Sequence, residues 1–164
     1  MPISLSIRKG IALVLLGAAV LGSGCANQQK ALEGGVVAGA ATPGSAQDFQ
    51  VNVGDRVFFE TDSTALTPQA MATLDRQVQW LGQYGSYSFM IEGHADERGT
   101  REYNLALGAR RSIAVRDYMI ARGVAANRMR TVSFGKERPV AVCDDISCWS
   151  QNRRAVTVLD GAGA

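Results

Sequence analysis

The chain has 164 residues, 46% of them hydrophobic, and a formal charge of +2. That is the composition of a globular domain with appendages, not of a disordered chain. Without Arg8 and Lys9, which lie in a leader expected to be removed, the remaining bases balance the 15 acids; a chain with no basic excess lacks the electrostatic footprint of a nucleic-acid binder.

Residues 1–24 read as an export signal. Arg8-Lys9 is its basic start, Ile11 to Leu21 a short apolar core, and Leu21-Gly22-Ser23-Gly24-Cys25 its end. A bilayer span needs about 20 apolar residues, so this core is too short for a membrane helix. Small residues followed by a cysteine resemble the signal of a bacterial lipoprotein. One feature departs from it: Gly22 stands where an aliphatic residue is usual, with Leu21 one place earlier. The resemblance implies cleavage before Cys25 and acylation of its thiol. Several acyl chains anchor stably, since each buried methylene contributes ~0.8 kcal/mol. In the sorting rule of such proteins an aspartate after the cysteine favours the inner membrane. Ala26 is there instead, which points to the outer membrane, with the lipid-anchored chain facing the periplasm.

Residues 25–50 form the lipidated start and a flexible tether. They are rich in Ala, Gly, Gln, Asn and Ser and are punctuated by Gly34-Gly35, Gly39 and Thr42-Pro43-Gly44-Ser45. About 22 such residues have a typical reach of roughly 25 Å.

The folded domain is expected over 51–164. Asp55 to Phe59 reads as a first strand, followed by the polar turn Glu60-Thr61-Asp62-Ser63. Thr67-Pro68 is a helix start, a capping hydroxyl before a proline suited to the first helical position. Met71, Leu74, Val78 and Leu81 then form one apolar stripe, ending near Gly82 to Gly85. Tyr87, Phe89 and Ile91 alternate with polar or smaller residues, so Ser86–Glu92 is a second strand. A second helix runs from the cap Thr100 to Arg122, with Gly123 at its end. Arg130–Phe134 is a third strand, Lys136–Ser150 a loop with room for a short helix, and Ala155–Leu159 a fourth strand. Strands alternate with helices, so the fold expected is α+β: one mixed sheet with both long helices on one face. Cys143 and Cys148 lie five apart, and in an oxidising periplasm a disulfide is the default. A metal reading is weaker, because two thiols and a lone distant histidine do not complete a zinc set. Nothing calls for a cofactor.

The unusual feature lies around the second helix. Asn104, Leu107 and Arg111 share one side of it, with about 10 Å between the first and last along the axis, and Val115 and Tyr118 continue the stripe into the core. A guanidinium flanked by Leu107 and Val115 must be paired or reach an opening. Asp96, in the loop before the helix, lies within reach of its first turns. Either Asp96 and Arg111 pair with each other, or Arg111 snorkels, or the two grip the opposite charges of a small zwitterion. Guanidinium takes a carboxylate in two bonds, and a neighbouring carboxylate accepts from an ammonium. On the last reading Arg111→Ala abolishes binding while leaving the fold intact.

Gly93-His94-Ala95-Asp96-Glu97-Arg98-Gly99-Thr100-Arg101-Glu102-Tyr103-Asn104, followed by Leu107-Gly108 and Arg110-Arg111, resembles the OmpA-like peptidoglycan-binding domain family. Phe58 to Ser63, Thr131 to Pro139 and Gln151 to Ala155 add to the likeness, which covers residues 53–159. The resemblance implies a β-α-β-α-β-β order and a site for the diaminopimelate of the peptidoglycan stem peptide, with Asp96 and Arg111 as its charged pair. Asn104, Leu107, Thr61 and Asp62 fall where the family lines the same pocket. His94 joins this set as a hydrogen-bonding scaffold. The family's first-strand motif, Phe-Asp-x-Asp or Phe-Asp-Phe-Asp, reads Phe59-Glu60-Thr61-Asp62 here, departing at Glu60 and Thr61. Cys143 and Cys148 also stand where cysteine is not usual.

With the lipoprotein start, the resemblance implies a non-catalytic tether between outer membrane and cell wall, working in the Tol-Pal system of envelope integrity and division with TolB as a periplasmic partner. Two alternatives are a cell-wall peptide-processing enzyme using His94, Asp96 and Glu97, and an anchor module of another envelope machine. No nucleophile elbow, phosphate loop or metal-ligand cluster is present in the sequence. Trp80 and Trp149 read as packing residues, and Arg153-Arg154 as a solvated or partner-facing patch.

Overall fold

The computed structural model describes residues 41–161, so the expected leader and Cys25 lie outside the described residues. The helices are α1 (Ala46–Asp48), α2 (Pro68–Gln83), α3 (Arg101–Ala121) and α4 (Ile146–Asn152). The strands are β1 (Arg56–Phe58), β2 (Phe89–His94), β3 (Met129–Gly135) and β4 (Arg154–Leu159), paired in the order β1-β4-β2-β3. β2 runs parallel to β3 and antiparallel to β4, and β4 antiparallel to β1. The sheet is therefore mixed, and α2 and α3 pack on one face of it, as the alternation of elements implies.

Local chemistry sets the element ends. Thr67 Oγ1 accepts from the Ala70 N–H at 3.1 Å and Thr100 Oγ1 from that of Tyr103 at 3.2 Å, each filling a donor the helix leaves unpaired. Leu74 and Leu81 of the α2 stripe are fully buried, with Val78 packed beside them. Inward residues of the sheet are Val57, Phe89, Ile91, Met129, Ala155 and Leu159, and Val115 and Met119 meet them from α3. Strand β2 starts at Phe89, later than expected, because Tyr87 still belongs to the turn after α2.

The fold begins earlier than the composition of residues 25–50 suggests. Part of the expected tether forms α1 and a π-helical turn over Phe49–Gly54. Phe49 is buried with its ring centroid 4.9 Å from that of Trp80, and Trp80 Nε1 donates to Asp48 Oδ2 at 2.8 Å. Burying one such ring contributes about 1.5–3 kcal/mol, which helps offset the entropy of ordering the small residues around it.

Two contacts position the site. Helix α3 approaches β2 backbone to backbone: a Cβ on Gly93 would collide with the carbonyl of Gly108, and one on Gly108 with Ser133 Oγ. At the other end, α4 occupies the close of the expected loop. Cys143 and Cys148 are disulfide-bonded with Cα atoms 5.6 Å apart, and the Asn152 side chain binds the backbone of Val140 and Ala141.

Candidate functional site

Strand β2 ends in an irregularity. Its register with β3 skips Phe134, so that Gly93 pairs with Ser133 and His94 with Gly135. The chain then leaves the sheet through Ala95–Gly99, and Gly99 at φ +86° delivers Thr100 to its capping position. Asn104 Nδ2 donates to the Arg98 carbonyl at 2.7 Å, and Lys136 Nζ donates to those of Glu97 and Gly99 at 3.1 and 2.7 Å. Braced from both sides, this loop presents Asp96. Facing it is the turn after β1, where Asp62 holds φ +54° and accepts a hydrogen bond from the Tyr103 hydroxyl. That bond favours the protonated phenol and raises the Tyr103 pKa.

Between loop and turn lies a cleft of about 310 Å³. Thr61, Asp62, Asp96, Asn104, Leu107 and Arg111 line it, together with Arg98, Gly99, Tyr103 and Arg153. Six of the seven expected pocket residues thus share one opening. The exception is His94. Its ring is buried outside the cleft, stacked on Phe134 at 5.6 Å with Nε2 3.3 Å from Glu92 Oε2. Side-chain alternation explains this, because residues 90, 92 and 94 face away from the helices. Burial, and then the charges of Arg154, Arg138 and Arg56, lower the His94 pKa to about 4, so the ring is neutral. The His94-Asp96-Glu97 set of the enzyme alternative does not converge, since Glu97 turns outward to accept from Trp149 Nε1.

Arg111 reaches the cleft as a fully buried side chain. Its Nε donates to the Ser63 carbonyl at 2.9 Å, Nη1 to that of His94 at 2.8 Å and Nη2 to that of Glu60 at 3.1 Å. The remaining N–H groups have no protein acceptor among the described residues. Burial and the nearby Arg153 pull its pKa down to about 10, against the opposing effect of Asp96 and Asp62, so it stays charged at neutral pH. Against the expectation that alanine at 111 leaves the fold intact, truncation would take the donor from three carbonyls and is expected to cost stability as well. Glu60 meets Arg111 through its backbone carbonyl alone, so the departure from the motif at that position leaves the side chains lining the cleft unchanged.

Asp96 is not paired with Arg111. Its cations are Arg98, through Nη2 at 2.7 Å and Nε at 3.2 Å, and Arg153, through Nη1 at 3.4 Å. Burial alone would raise the Asp96 pKa, but the hydrogen bonds from Arg98 and Arg153 outweigh it and leave the carboxylate below its ordinary value. Arg153 is thus no solvated patch. It is 4% exposed, and its Nε donates to the Phe59 carbonyl at 3.0 Å, tying the end of β1 to Asp96. Arg154 is equally buried, on the opposite face of the sheet, with Nη2 3.1 Å from the Arg138 carbonyl. The β4 pattern held the signal: residues 155, 157 and 159 face inward, and the same alternation carried back two places puts 153 inward as well. Trp149 does more than pack, lying under the Arg98 guanidinium at 4.2 Å. Trp80 is a core residue.

The OmpA family model matches residues 58–153. Over 146 residues the chain is 69% identical to the peptidoglycan-associated lipoprotein of Rhizobium meliloti, covering 87% of this chain and 83% of that one. The peptidoglycan-associated lipoprotein of Agrobacterium fabrum is 62% identical over 162 residues, 96% of this chain and 92% of the other. Among solved structures, the peptidoglycan-associated lipoprotein from Burkholderia pseudomallei superposes with a TM-score of 0.62 at 44% identity, covering 64% of this chain and 89% of that one. The C-terminal domain of Helicobacter pylori MotB gives a TM-score of 0.61 at 22% identity, over 66% of this chain and 86% of that one, a likeness of fold alone.

Proposed function

This chain belongs to the OmpA family, among its peptidoglycan-associated lipoproteins, and from that premise we propose that its cleft binds peptidoglycan non-covalently through the diaminopimelate of the stem peptide. The observation that carries the reading is that a buried guanidinium with unused donors and a carboxylate held ionised line one small cleft without pairing with each other. A group bearing ammonium and carboxylate on one carbon satisfies both. Its carboxylate takes the free N–H groups of Arg111, its ammonium approaches Asp96, and Leu107 covers the methylene stem. Thr61 and Asp62 close the opposite wall. All these steps are binding steps, and the chain acts as a tether, not an enzyme.

Acyl chains on Cys25 hold the outer membrane, the residues after it give reach, and the folded unit grips the wall from the periplasmic side. Membership of this branch further implies work in the Tol-Pal system, with TolB as partner. Sedimentation with purified sacculi tests the site. Asp96→Asn, which keeps the side-chain shape but removes the charge, is expected to lower retention at least about tenfold while the circular dichroism spectrum stays native. Wild-type retention by that variant refutes the assignment. Release of soluble muropeptides from the sacculi would favour an enzyme instead.

A further inference from the structure

An ionised carboxylate offers about four acceptor positions, and at Asp96 protein donors occupy them all. Oδ1 accepts from the Arg98 backbone N–H and from Arg98 Nε, both at 3.2 Å; Oδ2 accepts from Arg98 Nη2 at 2.7 Å and from Arg153 Nη1 at 3.4 Å. An ammonium reaching Asp96 must therefore replace a donor. The backbone N–H belongs to the loop braced by Asn104 and Lys136, and Arg153 is buried and anchored to Phe59. The Arg98 side chain is different: it is 40% exposed, and apart from Asp96 it is held by the Trp149 ring at 4.2 Å, by Thr61 Oγ1 at the long distance of 3.5 Å and by the nearby charge of Glu97, with which it makes no ion pair.

We propose that the Arg98 guanidinium is a displaceable internal counter-ion of Asp96, and that this makes Arg98 the specificity-determining residue of the cleft. The inference rests on the stem-peptide reading above. A ligand carrying an amine alone exchanges a two-bonded guanidinium for one ammonium and leaves Arg98 with only the weaker pull of Glu97, so it gains little. A ligand that brings a carboxylate beside its amine gives the displaced guanidinium a new acceptor. Arg98 reaches it by turning about its flexible stem while its plane stays on Trp149, which is itself held by Glu97 and by the disulfide at the adjacent Cys148. Arg98 thereby penalises lysine-like side chains and favours those ending in both charges.

The test is calorimetric titration of the full chain, wild type and Arg98→Ala, with two stem peptides that differ only in diaminopimelate or lysine at the third position. Wild type is expected to prefer the diaminopimelate peptide. In Arg98→Ala the lysine peptide is expected to bind about two- to fivefold tighter than to wild type, the range for a partly exposed arginine–carboxylate pair, and the preference to shrink. Arg101→Ala, which removes an exposed arginine paired with Glu137, is expected to leave both affinities unchanged. A preference that survives intact in Arg98→Ala overturns the counter-ion role while leaving the stem-peptide reading in place. Wild type binding neither peptide overturns both.

Discussion

Arg111→Ala tests whether the recognition arginine also holds the fold. Three backbone carbonyls, of Glu60, Ser63 and His94, lose their donor in that variant. The His94 carbonyl is buried and, once orphaned, costs about 1–3 kcal/mol; those of Ser63 and Glu60 are partly buried and cost about 0.5–1.5 kcal/mol each, and relief of the guanidinium's own desolvation offsets part of the sum. The net loss expected is about 2–4 kcal/mol, from one buried and two partly buried acceptors left without their donor. With a urea slope of about 2 kcal/mol/M, the unfolding midpoint falls by roughly 1–2 M. Arg111→Lys keeps the charge but not the planar fork, so it satisfies fewer carbonyls and falls between the two. The assay is urea denaturation of the full chain followed by circular dichroism. A midpoint for Arg111→Ala within about 0.3 M of wild type would show that the carbonyls find other donors, and Arg111 would revert to a residue of binding alone.

His94 predicts a pH dependence. Its folded pKa of about 4 lies below the ordinary 6.5, so between those values the unfolded chain holds the extra proton. Stability is therefore complete above about pH 6.5 and declines as pH falls towards 4, by about 3 kcal/mol in all. His94→Gln should flatten that slope, and an unchanged slope in the variant would show that other groups cause it. Gly93→Ala is expected to destabilise by about 2–3 kcal/mol and to weaken wall binding, because the new Cβ lifts α3, and Arg111 with it, off β2. Gly82→Ala in α2, where nothing lies within 4 Å of the new Cβ, is expected to stabilise by about 0.5–1 kcal/mol; equal effects of the two substitutions in thermal unfolding would contradict the close-approach argument.

Much of the fold was legible because its signals are local. Thr67 and Thr100 cap where a hydroxyl precedes an apolar period, and the α2 stripe is the buried face. Thr61, Asp62, Asp96, Asn104, Leu107 and Arg111 were legible as one set through a family likeness that spans four separated segments. What was not legible depends on partners distant in sequence. Phe49 sits in a stretch whose composition suits a tether, and only Trp80, 31 residues later, makes it a core residue. Arg153 pairs with Asp96 across 57 positions, and adjacent arginines at a strand start read as solvated unless the strand's alternation is extended back to them. The saturation of Asp96 had no sequence signal, since it depends on the direction in which Arg98 folds back over its own loop.

The hydrogen bonds of Arg111 join the β1–α2 connection, the end of β2 and the middle of α3. No one of these stretches holds the receptor alone, and a guanidinium cannot be poised for a ligand before its carbonyl acceptors have gathered. On the stem-peptide reading, affinity for the wall is therefore expected to arise in the same cooperative event as tertiary structure. A chain not yet folded is then expected to pass the mesh without sticking to it, and to become an anchor only once its fold has formed.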